Sequence, residues 1–346
     1  GGLPAALAAV SVLLLSAALS LYLAVACGLW VACRPALSSV FAQAILFAAC
    51  WGFAELARGV FLTGFPWAAA GYAHVDGGLA ALAPWLGVYG MGMVSAALAM
   101  ACAQGLTQAH GHRTWTVAGA ACVVAWMAWP YVPAPRADDL PVLRPLRVAL
   151  LQGDVPQDQK FTNQRASALK WYEAQLSQSG ADLVVTPETA LPMATQHLPE
   201  GYWSGLVSHF SASAQAALIG VPHLEGGLYH NSAVGLHAGA PYRYDKSHLV
   251  PFGEFVPPMF RWFTQMMNIP LGDFGRGTPT PPNFDVAGQR LALNICYEDL
   301  FGEELALRFR DPRQSPTLLV NMSNLAWFGN TVALDQHLAI SRLRTL

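Results

Sequence analysis

Charge is distributed very unevenly along this 346-residue chain. Only five of its forty Lys, Arg, Asp and Glu side chains lie in the first 132 residues, and the other thirty-five lie in the remaining 214. A segment of that length with so few charges is typical of a protein embedded in a membrane, whereas the rest has the composition of a globular domain. The sequence therefore predicts two domains with different surroundings.

Four apolar runs in the first part are long enough to cross a bilayer, which takes about 20 helical residues. They cover residues 1–33, 35–54, 77–112 and 114–135. A single cleavable signal peptide cannot account for four such runs. We therefore predict about four transmembrane helices within residues 1–132.

Loop charges indicate how these helices are oriented. Arg34 and Arg113 lie in loops on one side of the membrane, whereas Arg58 and everything after Tyr131 lie on the other. Because arginine is more frequent in cytoplasmic loops, the two-to-one count places the second domain outside the cytoplasm. The net charge of −2 gives no sign of a basic surface, so no nucleic-acid partner is expected.

The second part begins after a proline-rich stretch, residues 133–146, which we interpret as a linker. From residue 147 onward, short apolar runs alternate with longer amphipathic ones, and this pattern predicts an α/β sheet domain covered by helices. Strands are predicted at 147–152, 182–186, 216–221, 230–236, 291–296 and 317–322, and helices at 163–179, near 303–309 and from about 334.

A long segment without clear strands lies between Pro251 and Pro282. Its aromatic and methionine side chains, between Phe255 and Met267, need an apolar partner. They could pack on the core of the domain, or they could form an arm that enters lipid or covers an acyl chain.

A single cysteine, Cys296, lies in the charged part of the chain, and the other five lie in the apolar part. Cys296 therefore has no disulfide partner within its own domain. It follows an apolar strand-like run and precedes Tyr297-Glu298-Asp299, a setting that favours a nucleophile. A cysteine nucleophile needs a base to make the thiolate and donors to stabilise an oxyanion.

Two other residues are candidates for these roles. Glu188, in Thr186-Pro187-Glu188-Thr189, follows a buried strand and suits a general base. Lys246 follows the run 242–245 and could stabilise both a thiolate and an oxyanion. Each has an ordinary alternative when taken alone, because a strand-end glutamate is often a salt-bridge partner and a lysine often lies at the surface.

Glu188, Lys246 and Cys296 together resemble the Glu–Lys–Cys triad of the nitrilase, or carbon–nitrogen hydrolase, superfamily. Their order and spacing match, and Lys246 is followed by the run His-Leu-Val-Pro-Phe-Gly-Glu, which ends at Glu254. This resemblance implies an α/β nitrilase-like domain, an α-β-β-α sandwich, over residues 147–346.

The membrane helices make the resemblance more specific. Together with Gly64-Phe65-Pro66-Trp67, Gln152-Gly153 and the segment from Asn324 to Leu338, they are similar to the apolipoprotein N-acyltransferase family over the whole chain. The family pattern implies a membrane α-helical bundle followed by the nitrilase-like domain. It also implies that the chain is an internal fragment, incomplete at the C-terminus of the catalytic domain.

The resemblance also implies roles for individual residues. Glu188 would deprotonate Cys296, which would take an acyl chain from a phospholipid as a thioester, while Lys246 and the backbone N–H of Tyr297 hold the oxyanion. Glu254, Tyr297 and Glu298 match supporting or substrate-orienting positions, although Glu254 could equally form a structural ion pair with Lys246. Possible lipid contacts are Phe161, Phe255, Trp262 and Phe263.

The expected partners are a phospholipid acyl donor, a diacylated lipoprotein acceptor and the bilayer, with the chain as a monomer and with neither cofactor nor metal. The implied location is the bacterial inner membrane, with the catalytic domain on the periplasmic side. Two alternatives remain open. One is a membrane-tethered amidase or nitrilase that hydrolyses a carbon–nitrogen bond with the same triad, and the other is a transporter or scaffold that only binds lipoprotein.

Two positions depart from the family pattern. Phe161 stands where tryptophan is frequent, so an aromatic ring is retained there. Leu325 stands where many members have an aspartate, which removes any role for a carboxylate at that position but leaves the triad intact.

Overall fold

The computed structural model describes residues 5–107, 145–155, 165–262 and 273–346. The chain divides into two compact units. One comprises Gly1–Leu140 together with Gln336–Leu346, and the other comprises Pro141–Asp335.

Three long helices form most of the first unit: α1 (Ala5–Cys33), α2 (Val40–Val60) and α3 (Ala83–Thr107). Within the described ranges these are the three helices that are long and apolar enough to cross a membrane. They correspond to the first three predicted spans, so the prediction of a helical membrane part is confirmed for them. The fourth predicted span, at 114–135, lies outside the described residues.

A series of short 3₁₀ turns joins α2 to α3 and is held by a buried carboxylate. Glu55, on α2, accepts a hydrogen bond from the backbone N–H of Ala70 (2.7 Å) and lies 3.9 Å from the guanidinium of Arg58. Both side chains are buried, and a charged group inside an apolar bundle needs such partners. In the same unit, the indole N–H of Trp67 donates to the side chain of Gln336 (2.8 Å).

The second unit is built on two sheets. The first contains β1 (Val148–Leu150), β2 (Leu183–Val185), β3 (Ala216–Glu225), β4 (Leu228–Leu236) and β5 (Tyr242–Asp245), in that spatial order. β1, β2 and β3 are parallel, whereas β4 and β5 are antiparallel to their neighbours. Gly226 and Gly227, both at positive φ, form the tight turn between β3 and β4.

The second sheet is smaller. It contains β6 (Phe284–Val286), β7 (Gln289–Ile295) and β8 (Leu318–Met322), with β7 in the centre, antiparallel to β6 and parallel to β8. Four further helices are α4 (Arg165–Gln178), α5 (Tyr202–Ser211), α6 (Gly302–Ala306) and α7 (Ala333–Leu343), the last of which crosses from the second unit into the first.

The alternation of side chains along β3 creates two cores. Ala217 and Ile219 face the helices α4 and α5, where Leu176 and Phe210 are fully buried. Leu218, on the other face, packs with residues of the second sheet, such as Phe284 and Leu293. Helices, five-stranded sheet and three-stranded sheet therefore lie in successive layers, which confirms the predicted α/β class. Burial of each such leucine or phenylalanine contributes about 1.5–3 kcal/mol.

All six predicted strands are present, with bounds that differ by a few residues. The predictions omitted α5, which contains a glycine, and the short strands β5 and β6. In the described part of the segment from Pro251 to Pro282 there is no regular strand, as predicted, but only a 3₁₀ turn at Pro258–Phe260 and isolated bridges.

Candidate active site

Glu188 lies in a sharp bend that follows β2. The bend packs directly on the neighbouring strand β3, where a Cβ atom on Gly220 would collide with the carbonyl oxygen of Pro187. The N–H of Gly220 also donates to the hydroxyl of Thr186 (2.9 Å). Thr189 has a φ of +51°, a left-handed conformation that completes the bend. These constraints fix the backbone from which the side chain of Glu188 extends.

Lys246 directly follows β5 and points into the same site. Its backbone N–H donates to the carbonyl of Asn231 (2.8 Å), which extends the pairing of β4 and β5 by one residue. Its side chain is only 1% exposed, and Nζ lies 3.0 Å from Oε1 of Glu254 and 3.5 Å from Oε1 of Glu188. Burial lowers the pKa of Lys246, but the two carboxylates more than offset this and hold that pKa above its ordinary value. Lys246 is therefore a permanent buried cation.

Asn231, on β4, bridges the two carboxylates and was missed by sequence reasoning. Its Nδ2 donates to Oε1 of Glu188 (2.7 Å) and to Oε1 of Glu254 (2.6 Å). Asn231 is buried, so water does not compete for either hydrogen bond. Two carboxylates and one ammonium leave one net negative charge, and the amide supplies donors without changing that charge.

Each carboxylate is also held at its second oxygen by a backbone N–H group. The N–H of Asn324 donates to Oε2 of Glu188 (2.9 Å), and the N–H of Val250 donates to Oε2 of Glu254 (2.8 Å). Asn324 belongs to the segment that carried the family resemblance near the end of the chain. Because both oxygens of each glutamate are engaged, the carboxylates have little rotational freedom.

Cys296 begins the turn that follows β7, and its φ is +53°. This left-handed conformation is costly for a residue with a Cβ and is found mainly where the surrounding structure imposes it. The side chain of Asn321, on the adjacent strand β8, donates to the carbonyl of Cys296 (3.2 Å) and holds the turn. The strand-to-turn junction thus presents the thiol at the end of the sheet.

The thiol of Cys296 is protonated at neutral pH. Burial raises its pKa to about 12, the charge of Glu188 and a hydrogen bond with that carboxylate act in the same direction, and only Lys246 opposes them. A neutral thiol that is hydrogen-bonded to a carboxylate is suited to a mechanism in which the carboxylate removes the proton as the sulfur attacks.

Glu298 connects the turn Cys296–Leu300 (the cysteine turn) with the loop after β5, residues 246–250 (the lysine loop). Its Oε2 accepts from the hydroxyl of Tyr244 (2.6 Å) and from the N–H of Ile295 (2.7 Å), the residue before Cys296. Its Oε1 accepts from the N–H and hydroxyl of Ser247 (2.7 and 2.9 Å) and from the N–H of His248 (3.0 Å). A buried carboxylate with five donors fixes both segments, and burial together with this acidic neighbour raises the pKa of Tyr244 well above its ordinary value.

Tyr297, directly after the cysteine, is buried among aromatic rings. Its ring lies 5.3 Å from that of Phe301 and 5.8 Å from that of His248, and His248 stacks on Phe301 at 3.5 Å. Burial raises the pKa of Tyr297 above its ordinary range, so the hydroxyl remains neutral. The ring cluster supports the backbone at the position where the resemblance places an oxyanion donor.

Two of the four predicted lipid-contacting residues lie within the described ranges. Phe255 is partly exposed and Trp262 is 63% exposed, whereas Phe161 and Phe263 lie outside the described residues. Phe255 precedes the exposed side chains Met259 and Phe260. Within the described ranges, no group of three or more His, Cys, Asp or Glu side chains is placed to hold a metal ion.

Two family models match the chain and together cover both parts of it. The carbon–nitrogen hydrolase model matches residues 147–346, and the model of the apolipoprotein N-acyltransferase N-terminal domain matches residues 1–101. The domain that contains the candidate active site, residues 147–346, therefore belongs to the carbon–nitrogen hydrolases.

Full-chain relatives identify the branch. Apolipoprotein N-acyltransferases from Verminephrobacter eiseniae, Ralstonia nicotianae and Bordetella bronchiseptica are 52%, 46% and 42% identical to the whole of this chain. The chain spans 66%, 66% and 70% of their respective lengths, or about two thirds. It belongs to the apolipoprotein N-acyltransferase family of carbon–nitrogen hydrolases.

A solved structure is also similar, but at low identity. A carbon–nitrogen hydrolase superfamily protein from Xanthomonas campestris, with an arsenic adduct in its active site, is 19% identical with a TM-score of 0.39. The match covers 53% of this chain and 66% of that one.

Proposed function

We propose that this protein transfers an acyl chain from a phospholipid to the N-terminal amine of a diacylglyceryl-cysteine lipoprotein, through a thioester on Cys296. The observation that carries the proposal is a buried cluster. In it, Glu188 is hydrogen-bonded to the thiol of Cys296, and Lys246 lies beside the carboxylates of Glu188 and Glu254. The membership of the chain in its family and the three apolar helices among the described residues support the choice of lipid substrates.

The first half-reaction forms the thioester. Glu188 takes the proton of Cys296 as the sulfur attacks the carbonyl carbon of the phospholipid ester, and the carbonyl oxygen becomes an oxyanion. Nζ of Lys246 and the backbone N–H of Tyr297 stabilise this oxyanion. The intermediate then collapses, the C–O bond to the glycerol breaks, and the lysophospholipid alkoxide takes the proton from Glu188.

The second half-reaction forms the amide. The α-amine of the lipoprotein attacks the thioester carbonyl, and Glu188 accepts a proton from the attacking nitrogen. Collapse of this intermediate breaks the C–S bond, and the thiolate of Cys296 recovers the proton from Glu188. The same carboxylate thus serves as base and then as acid in each half-reaction.

Three further residues have supporting roles in this proposal. Glu254 orients Lys246 through the 3.0 Å contact, and its second oxygen is held by the N–H of Val250. Glu298 fixes the turn that carries Cys296. Tyr297 contributes its backbone N–H, with the buried ring as an anchor.

The proposed setting is the bacterial inner membrane, with the catalytic domain on the periplasmic side and the protein acting as a monomer. Residues 1–132 would form the membrane domain, 133–146 the linker and 147–346 the catalytic domain. A periplasmic location requires that Cys296 remain reduced in an oxidising compartment, and burial beside Glu188 protects it because thiolates, not thiols, are readily oxidised.

A hydrolase is the second candidate, because the matched domain model is that of carbon–nitrogen hydrolases in general. With the same cluster, water would replace the lipoprotein amine as acceptor, and an amide or nitrile would replace the phospholipid. The exposed apolar side chains of Met259, Phe260 and Trp262 favour the lipid substrate over this alternative.

The test is intact-mass analysis of the detergent-purified protein after incubation with a phospholipid. We expect an acyl adduct that maps to Cys296, that hydroxylamine removes and that a diacylated N-terminal lipopeptide discharges. The controls are Cys296→Ala and Glu188→Gln, which should form no adduct. Absence of an adduct in the wild-type protein, with release of ammonia from small amides, would replace the acyltransferase proposal with the hydrolase.

A further inference from the structure

An exposed arginine, Arg276, lies next to the lysine loop. Its guanidinium donates to the carbonyl of Ser247 (3.4 Å), one residue after Lys246, and lies 4.8 Å from the ring centre of Phe255. Among the described residues, no carboxylate is within ion-pairing distance of it. Arg261, by contrast, is paired with Asp273.

Hydrogen bonds hold the backbone on both sides of Arg276 against β4 and the residue that follows β5. The N–H of Gly275 donates to the carbonyl of Tyr229 (2.8 Å), and the N–H of Gly277 donates to the carbonyl of Lys246 (2.9 Å). A Cβ at Gly275 would collide with the ring of His230, and one at Gly277 with the carbonyl of Asp245. Such close approach means that the position of Arg276 is set by the same strands that place Lys246 and Asn231.

The donor capacity of Arg276 is largely unused. A guanidinium carries five N–H donors, and only one is engaged within the described part of the protein. The planar fork of donors matches the oxygens of a phosphate group, which it binds through two parallel hydrogen bonds. The face of the guanidinium rests on Phe255, so its edge remains available to a ligand.

We propose that Arg276 binds the phosphate diester of the phospholipid acyl donor. The proposal rests on the acyltransfer function proposed above, and it adds a phosphate subsite beside the reacting groups. In a glycerophospholipid, the ester and the phosphate are carried on the same glycerol. A cation fixed next to the lysine loop can therefore hold the phosphate while the ester approaches Cys296. Phe255 supports the cation from the segment that also carries the exposed Met259 and Phe260.

The experiment compares two acyl donors that differ in the phosphate. The rate of thioester formation on Cys296 is measured against concentration for a phospholipid and for the p-nitrophenyl ester of the same fatty acid. The ratio of kcat/KM for the two donors cancels effects on folding or on the triad. Arg276→Gln should lower this ratio by about tenfold, as expected for the loss of charge-assisted hydrogen bonds, mainly through KM for the phospholipid.

Two further variants sharpen the result. Arg276→Lys keeps the charge but loses the fork, so we expect an intermediate ratio. Arg261→Gln removes an exposed arginine that is already paired, so the ratio should stay at the wild-type value.

Competition by inorganic phosphate separates free phosphate from lipid-borne phosphate as the ligand. Competition in the wild type but not in Arg276→Gln would show that the subsite binds phosphate itself, and a lowered donor ratio without competition would restrict it to phosphate carried by a lipid.

The failures are distinguishable. A wild-type protein that forms no thioester from either donor would refute the acyltransfer proposal. A wild-type protein that forms the thioester, together with an unchanged donor ratio in Arg276→Gln, would refute the phosphate subsite alone.

Discussion

Asn231 offers a sharp test of the charge arrangement in the site. Its amide donates to Glu188 and Glu254 at 2.7 and 2.6 Å, and each hydrogen bond to a charged group contributes about 1.5–3 kcal/mol. Asn231→Leu keeps the volume but removes both donors, so the expected loss is on the order of 3–6 kcal/mol, shared between stability and activity. If half of that loss falls on activity, thioester formation should slow by roughly ten- to a hundredfold, since each 1.4 kcal/mol is a factor of ten.

The assay for this prediction is the single-turnover rate of acyl-adduct formation on Cys296, measured by mass, together with the thermal unfolding midpoint. Asn231→Asp should be more damaging than Asn231→Leu, because it adds a third carboxylate beside two that share one lysine. Asn283→Leu is the matched control, since this half-buried asparagine of the same unit donates to the carbonyl of Gln314 and accepts from Arg308, away from both carboxylates. If Asn231→Leu reacted at more than about half the wild-type rate, the bridging bonds would contribute little to catalysis and the reasoning would be wrong.

Two further predictions concern the cysteine turn. Tyr244→Phe removes one of the five donors to Glu298 and should slow thioester formation by about tenfold. Tyr242→Phe is the control, because it removes a hydrogen bond from the same strand to the carbonyl of Pro282 and should leave the rate near wild type. Equal rates in the two variants would contradict the role given to Glu298. Because the thiolate is the reactive form and the thiol's pKa is about 12, iodoacetamide modification mapped to Cys296 should rise steadily from about pH 7 to about pH 10. A plateau near neutral pH would instead indicate a resting thiolate.

The sequence predicted the layers of the fold better than its details. The apolar runs at the start of β3 and along β7 identify buried strands, because a strand that packs on both faces has apolar residues at successive positions. β5, with the sequence Tyr-Arg-Tyr-Asp, is short and half polar, and β6 has only three residues. Such strands are specified by their neighbours across the sheet rather than by their own composition.

The same distinction applies to the site. Glu188, Lys246 and Cys296 could be predicted as site residues because each follows a strand and together they match a known order of residues. Asn231 carries no local signal, since its partners are 43 and 23 residues away along the chain. The left-handed backbone at Cys296 is equally invisible in sequence, because tertiary contacts impose it.

The five bonds to Glu298 have a consequence for how substrates enter. The lysine loop and the cysteine turn share one carboxylate, so neither can swing outward without breaking hydrogen bonds of the other. An opening and closing of the catalytic groups themselves is therefore too costly to occur in each cycle. Under the proposed function, two chemically different substrates would therefore bind in succession at a centre that keeps the same shape, and any movement that admits them would occur outside that centre.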